Sequence, residues 1–147
     1  DSDASTDSSP GTWREIANLD GIENLIGTQF ADYIRGDTNA NRIVAGPGDD
    51  RIAGYSGADT FVFSNHPDNG ATGANSILDF SHDDSEKIDL RGVLEITDFA
   101  DLIANHLVDN GGTARIDDGA FLTIDLVGYT IADFGVGQII SEHDFIF

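Results

Sequence analysis

The chain contains no cysteine and no methionine, three prolines, one tryptophan, and only seven basic residues against 27 acidic ones in a length of 147. Without cysteine there is neither a disulfide nor a thiolate metal centre, so the usual cross-link of a small exported domain is missing and another staple is required. The scarcity of Lys and Arg, with a formal charge of −20 and a pI near 4.1, removes the phosphate contacts on which nucleic-acid binding depends. The same surplus of carboxylates repels itself in any compact state, so cations are its natural neutralisers. No apolar run approaches the ~18 residues of a membrane span, and no membrane insertion is expected. The opening DSDASTDSSPGT has neither the basic start nor the apolar stretch of a cleavable signal, and residues 1–12 read as a linker from a preceding domain. The length fits one compact domain carrying a short repeat array, expected to be a monomer.

Catalytic signatures are also missing. His66, His82, His106 and His143 are scattered and fit no H-E-x-x-H spacing, and there is no G-x-S-x-G elbow or phosphate loop. Acid pairs such as Asp83-Asp84 and Asp117-Asp118 arise by chance among 27 acids. The chain is therefore expected to be no enzyme, with any catalysis in a covalently linked domain on its N-terminal side.

Glycine, by contrast, is plentiful, and it is periodic. Leu25, Ile34, Ile43, Ile52 and Phe61 recur every nine residues, each preceded two positions earlier by Glu23, Asp32, Asn41, Asp50 or Asp59. The units are GTQFADYIR, GDTNANRIV, AGPGDDRIA and GYSGADTFV, spanning residues 27–62. Turn chemistry alone explains Asp and Gly between short strands, but not a shared period of nine in both the acid and the apolar residue. In each unit the three residues after the acid predict a short strand with its apolar middle residue inward.

These units resemble the RTX nonapeptide G-G-x-G-x-D-x-U-x, a calcium-binding repeat. The resemblance implies an all-β fold: a right-handed parallel β-roll with two units per turn, so that loops 18 residues apart stack and Asp32 faces Asp50 while Asn41 faces Asp59. Ca²⁺ takes six to eight hard oxygens, which stacked loops supply as inward carbonyls plus a carboxylate. Carried over residue by residue, the first site takes the Thr28 and Phe30 carbonyls with Asp32, and the Ala45 and Pro47 carbonyls with Asp50. The second takes the Asp37 and Asn39 carbonyls with Asn41, and the Gly54 and Ser56 carbonyls with Asp59; its neutral Asn41 predicts weaker binding. A third uses Gly46, Gly48 and Asp50 with groups beyond the last repeat. Phe30, Asn39, Ala45 and Tyr55 depart from the consensus. Four apolar residues are a thin interior for 36 ordered residues, so the ion is expected to act as the staple. An ion bound only by the folded form adds about 2.7 kcal/mol per site at a hundredfold excess over Kd. Because calcium is scarce inside cells and abundant outside, the array is expected to fold after export.

Residues 13–26, with Glu23 and Asn18 to Gly21, read as a degenerate N-terminal cap. Residues 63–147 read as a capping β-region. Within it, Phe61 to Phe63, Ser76 to Phe80 and Lys87 to Leu90 alternate as strands continuing the sheet, joined by a loop over 66–75. Asn75, Asp79 and Asp89 are candidates to complete a last ion site, or are solvated strand-end acids. Phe99, Leu102, Ile103, His106 and Leu107 fall on one face of a short helix with Asp98 as N-cap. Asn110-Gly111-Gly112 and Asp118-Gly119 predict hairpin turns flanking strands Ala114 to Asp117 and Ala120 to Leu126. A turn over Ile131 to Phe134 and capping-box spacing from Ser141 to Asp144 follow.

The string GADTFVF…ILDF…DSEKIDL also resembles the segment after the repeats in serralysin-type protease C-terminal domains and in R-modules of mannuronan C5-epimerases. The closing Asp144-Phe145-Ile146-Phe147 resembles the uncleaved signal read by type I secretion machinery, and reads equally as an edge strand. Two functions follow from the resemblance: a secreted folding and export module for an attached enzyme, expected to be polysaccharide-modifying, or a module that binds alginate or another polysaccharide through Arg35 and Arg51 on one outer sheet face. The serralysin-type C-terminal domain is the alternative parent.

Overall fold

The computed structural model describes residues 21–64, 73–135 and 137–147. The linker over 1–12, the cap residues before Gly21 and most of the 66–75 loop lie outside the described residues. Eleven strands are described: β1 Asn24–Ile26, β2 Tyr33–Arg35, β3 Arg42–Val44, β4 Arg51–Ala53, β5 Thr60–Ser64, β6 Gly73–Ile77, β7 Lys87–Gly92, β8 Leu107–Asp109, β9 Ala114–Asp117, β10 Leu122–Leu126 and β11 Phe145–Ile146. They form two sheets, ordered β1-β3-β5-β7-β11 and β2-β4-β6-β10-β9-β8. Odd strands go to one sheet and even ones to the other through β7. A chain that turns a corner every nine residues alternates sheets in this way, and the parallel roll implied by the resemblance is what forms.

The register is that of the repeat. Tyr33, Ile34 and Arg35 pair with Arg51, Ile52 and Ala53, and Arg42, Ile43 and Val44 with Thr60, Phe61 and Val62. Two apolar columns therefore run through the interior. One stacks Leu25, Ile43, Phe61, Ile88 and Phe145; the other stacks Ile34, Ile52, Ile77, Leu126 and Ala114. All ten are buried, because alternate side chains of a strand point to the same face and these face the interior. The columns pass residue 62 without a break, so the segments after the repeats extend the roll as well as capping it.

Beyond β7 the chain departs from the winding. Asp98 caps a single α-turn, α1 Phe99–Asp101, by accepting from the Asp101 amide, and a π-helical turn Leu102–His106 follows before β8. The helix is shorter than its apolar stripe predicts. The wider π-turn leaves only Leu102 fully buried and turns Ile103 to solvent, and Leu107, expected on the helix, opens a strand. The turns at Gly111-Gly112 and Gly119 then fold β8, β9 and β10 into an antiparallel meander joined in parallel to β6. Both expected strands appear, the second starting at Leu122 instead of Ala120. A 3-10 turn covers Ile131–Asp133, and Ser141 and Asp144 form the expected capping box. β11 pairs in parallel with β7, which realises the edge-strand reading of the closing residues.

Candidate metal centre

Asp32, Asn41, Asp50, Asp59 and Glu86 each precede a strand, and together with Asn75 within β6 they stack into two polar ladders. On one edge the Asp32 amide donates to Asp50 Oδ1 at 2.9 Å, and the Asp50 amide donates to Asn75 Oδ1 at 3.1 Å. On the other the Asn41 amide donates to Asp59 Oδ1 at 2.7 Å. Glu86 is the next rung, because Lys87 pairs with Thr60 and its amide reaches the Asp59 carbonyl at 2.8 Å. The expected pairings of Asp32 with Asp50 and Asn41 with Asp59 are thus present.

The stacked loops approach so closely that side chains are excluded between them. A Cβ on Gly46 would lie 2.4 Å from the Thr28 carbonyl oxygen, and one on Gly48 would lie 2.5 Å from that of Phe30. Both glycines have φ in the left-handed region, at +87° and +132°. Carbonyls of the first loop accordingly lie against the backbone of the second. Among the described residues no three His, Cys, Asp or Glu side chains form a metal cage of their own, so an ion here must draw much of its shell from backbone oxygens.

The carboxylates differ in how well the protein satisfies them. Asp32 Oδ2 accepts from the Thr28 amide at 2.5 Å and the Thr28 hydroxyl at 2.8 Å. Asn41 is also spoken for, accepting from the Asp37 amide and donating to the Ile22 carbonyl. Asp37 lies below its ordinary value through the amides of Gly21 and Asn39. In contrast, Asp50 Oδ2, Asp59 Oδ2 and Glu86 Oε1 are buried with no hydrogen-bond partner among the described residues. Burial pushes Asp50 up to about 7; burial first, and then the neighbouring Asp59 carboxyl, push Glu86 up to about 8, and burial raises Asp59 as well, so without a cation this pair is compensated by a shared proton. A Cβ on Gly54 would meet Asp59 Oδ2 at 2.3 Å and Glu86 Oε1 at 3.0 Å, so both orphaned oxygens flank one point beside that glycine. Buried charge of this kind is costly unless a cation or proton compensates it. The donor set, carboxylates and carbonyls without nitrogen or sulfur, suits a hard ion such as calcium.

Asp79 contributes to the same corner. Its two oxygens accept from the Gly54 and Tyr55 amides at 2.9 and 3.0 Å, clasping Tyr55, whose φ of +70° is uncommon for a side-chain-bearing residue. Asp89, another sequence candidate, is engaged instead by Arg91, which holds it below its ordinary value. Neither Asn75 nor Asp89 is a solvated strand-end group, since both are buried. Glu86 was not anticipated. Its signal was available: Glu86 precedes Ile88 by two residues, as Asp59 precedes Phe61, but the intervening loop hides the repeat.

Arg35 and Arg51 share one sheet but do not face each other. Arg51 pairs with Tyr33, Arg35 pairs with Ala53, and the Arg35 guanidinium lies 4.3 Å from the Tyr33 ring centroid.

A family model described as Peptidase M10 serralysin C terminal matches residues 16–147. The curated proteins offer no match. Of the alternatives raised by the sequence, the match favours the serralysin-type parent over the polysaccharide-modifying one, and nothing supports alginate or other polysaccharide binding. No helix among the described residues is long and apolar enough to cross a membrane.

Proposed function

The chain belongs to the serralysin C-terminal family of M10 peptidases, an accessory non-catalytic part of secreted bacterial proteases, and from this premise we propose that it is a calcium-stapled folding and export module for a covalently attached protease domain. The observation that carries the proposal is the trio of buried, unpartnered carboxylate oxygens on Asp50, Asp59 and Glu86. Calcium supplies the positive charge that these oxygens lack, and the family binds calcium. The Thr28, Phe30, Ala45 and Pro47 carbonyls with Asp32 and Asp50 would hold one ion. The Asp37, Asn39, Gly54 and Ser56 carbonyls with Asn41 and Asp59 would hold a second. Gly46 and Gly48 with Asp50 and Asn75 would extend the first ladder, and Glu86 with Asp59 would end the other.

On this reading the ion replaces the disulfide that a cysteine-free exported domain cannot form. The chain leaves the cell loosely folded through type I secretion machinery, which reads Asp144 to Phe147, and closes in the calcium outside. Calcium titration followed by calorimetry and circular dichroism tests the proposal. Saturable uptake with a gain of β-structure is expected; a chain fully folded in excess chelator that takes up no calcium would refute it.

A further inference from the structure

The loop Ser81 to Glu86 touches both the Asp59–Glu86 end of the roll and the segment Ser141 to Phe147. Its entry is pinned by the Tyr129 hydroxyl, which donates to the Phe80 carbonyl at 3.0 Å. Within it the Ser85 amide donates to the His82 carbonyl at 3.1 Å, the Asp84 amide to Ser81 Oγ at 3.2 Å, and the Ser81 amide to Glu86 Oε2 at 2.7 Å. Ser85 takes a left-handed φ of +63°, so the loop is closed on itself with little slack. One oxygen of Glu86 therefore organises the loop while the other faces Asp59 without a partner.

From this loop His82 Nδ1 reaches Asp144 Oδ1 at 2.7 Å. Asp144 is 1% exposed, and its other oxygen accepts from the Ser141 amide at 2.8 Å and the Ser141 hydroxyl at 3.2 Å. Directly after Glu86, Lys87 Nζ donates to the His143 carbonyl. Besides these two contacts the segment is held by the two-residue strand β11, by Phe147 packed against the core, and by Phe145, whose ring lies 5.5 Å from that of Phe99 and 6.3 Å from that of Phe134. So short a strand needs its side-chain anchors.

We propose that the Ser81 to Glu86 loop couples the ion site to the docking of Ser141 to Phe147, with His82 as the positioning residue. An ion between Asp59 and Glu86 fixes the loop, the fixed loop presents His82 to Asp144, and β11 docks. Without the ion that tie is lost, the loop loosens and the segment is released. The inference rests on the calcium reading above and deepens it: the motif expected to be read during export is accessible in the ion-free chain and sequestered once calcium is bound. Linkage makes the effect reciprocal: the factor by which the ion tightens the dock is the factor by which the dock tightens the ion.

The test measures amide hydrogen exchange at Phe145 and Ile146, with calorimetric calcium titration, on the full chain carrying His82→Ala or His82→Asn. His82→Ala is expected to keep the number of ions bound and the protection of β3 and β4. It should speed exchange at Phe145 and Ile146 in calcium about tenfold and measurably weaken one ion. His82→Asn, whose side-chain amide can still donate to Asp144, should recover part of both. Unchanged exchange at Phe145 and Ile146, or faster exchange with every calcium affinity unchanged, overturns the coupling while leaving the calcium reading intact. A wild-type chain that takes up no calcium overturns both. Should His82→Ala also strip protection from β3 and β4, the same two readouts on Asp144→Asn decide.

Discussion

Replacing Asp50 by Asn should change sign between calcium-free and calcium-loaded protein. Asp50 is fully buried; its Oδ1 accepts from the Asp32 amide, while Oδ2 has no partner among the described residues. Asn keeps the acceptor and removes the charge. Raising this carboxyl from 3.8 to about 7 corresponds to on the order of 4 kcal/mol of lost stability once it is ionised. The fold holds this proton more tightly than the unfolded chain does. The contribution of Asp50 is therefore fully present below about pH 4 and disappears as pH rises toward about 7. In excess chelator at pH 8, Asp50→Asn should be the more stable protein by up to about 4 kcal/mol, a rise in Tm of roughly 8–16 °C for a chain of this size, and the two should converge near pH 4. In millimolar calcium the order should reverse, because the variant has lost a charged ligand. Thermal unfolding by circular dichroism over that pH range, with and without calcium, reads all of this. An Asp50→Asn variant less stable than wild type in chelator at pH 8 would show that the orphaned oxygen is not an uncompensated charge, and the argument for the ion would lose its main support.

Asp32→Ala should lower calcium affinity more than Asn41→Ala in calorimetric titration, since Asp32 brings a charge to its ladder whereas Asn41 is neutral and bonded to Asp37 and Ile22. Gly54→Ala drives a methyl group toward Asp59 Oδ2 and Glu86 Oε1; we expect a cost of about 1–3 kcal/mol in denaturant unfolding and a weaker ion at that end of the roll. Asp118→Ala removes one oxygen that accepts from the amides of Ala120, Phe121 and Leu122, and should cost about 1–3 kcal/mol while leaving calcium affinities unchanged.

The repeat was legible because a period of nine constrains both layers of the structure at once. Ile34, Ile43, Ile52 and Phe61 had to be inward and the residues two before them had to sit at corners, whatever the rest of the chain did. Alternation exposed the strand at Lys87, and local backbone chemistry exposed the meander turns and the capping box at Ser141. Helix length was less legible. The stripe from Phe99 to Leu107 marks a face but not its winding, and a π-turn satisfies the same residues while freeing Leu107 for β8.

The period by itself determined which residues face inward and that Asp32, Asn41, Asp50 and Asp59 recur at one position of each unit; the resemblance that period supports implied the parallel roll and its cation. Only the tertiary structure decided which of those carboxylates is left wanting. Satisfaction of an oxygen depends on donors that arrive from other turns: Thr28 closes on Asp32, Asp79 is spent on Tyr55, and Arg91 takes Asp89. What remains uncompensated is Asp50 on one edge and Asp59 with Glu86 on the other, a pairing made across 27 residues of chain by a loop that masks the repeat. Spacing reveals which groups face inward; charge balance emerges only when every neighbour is in place.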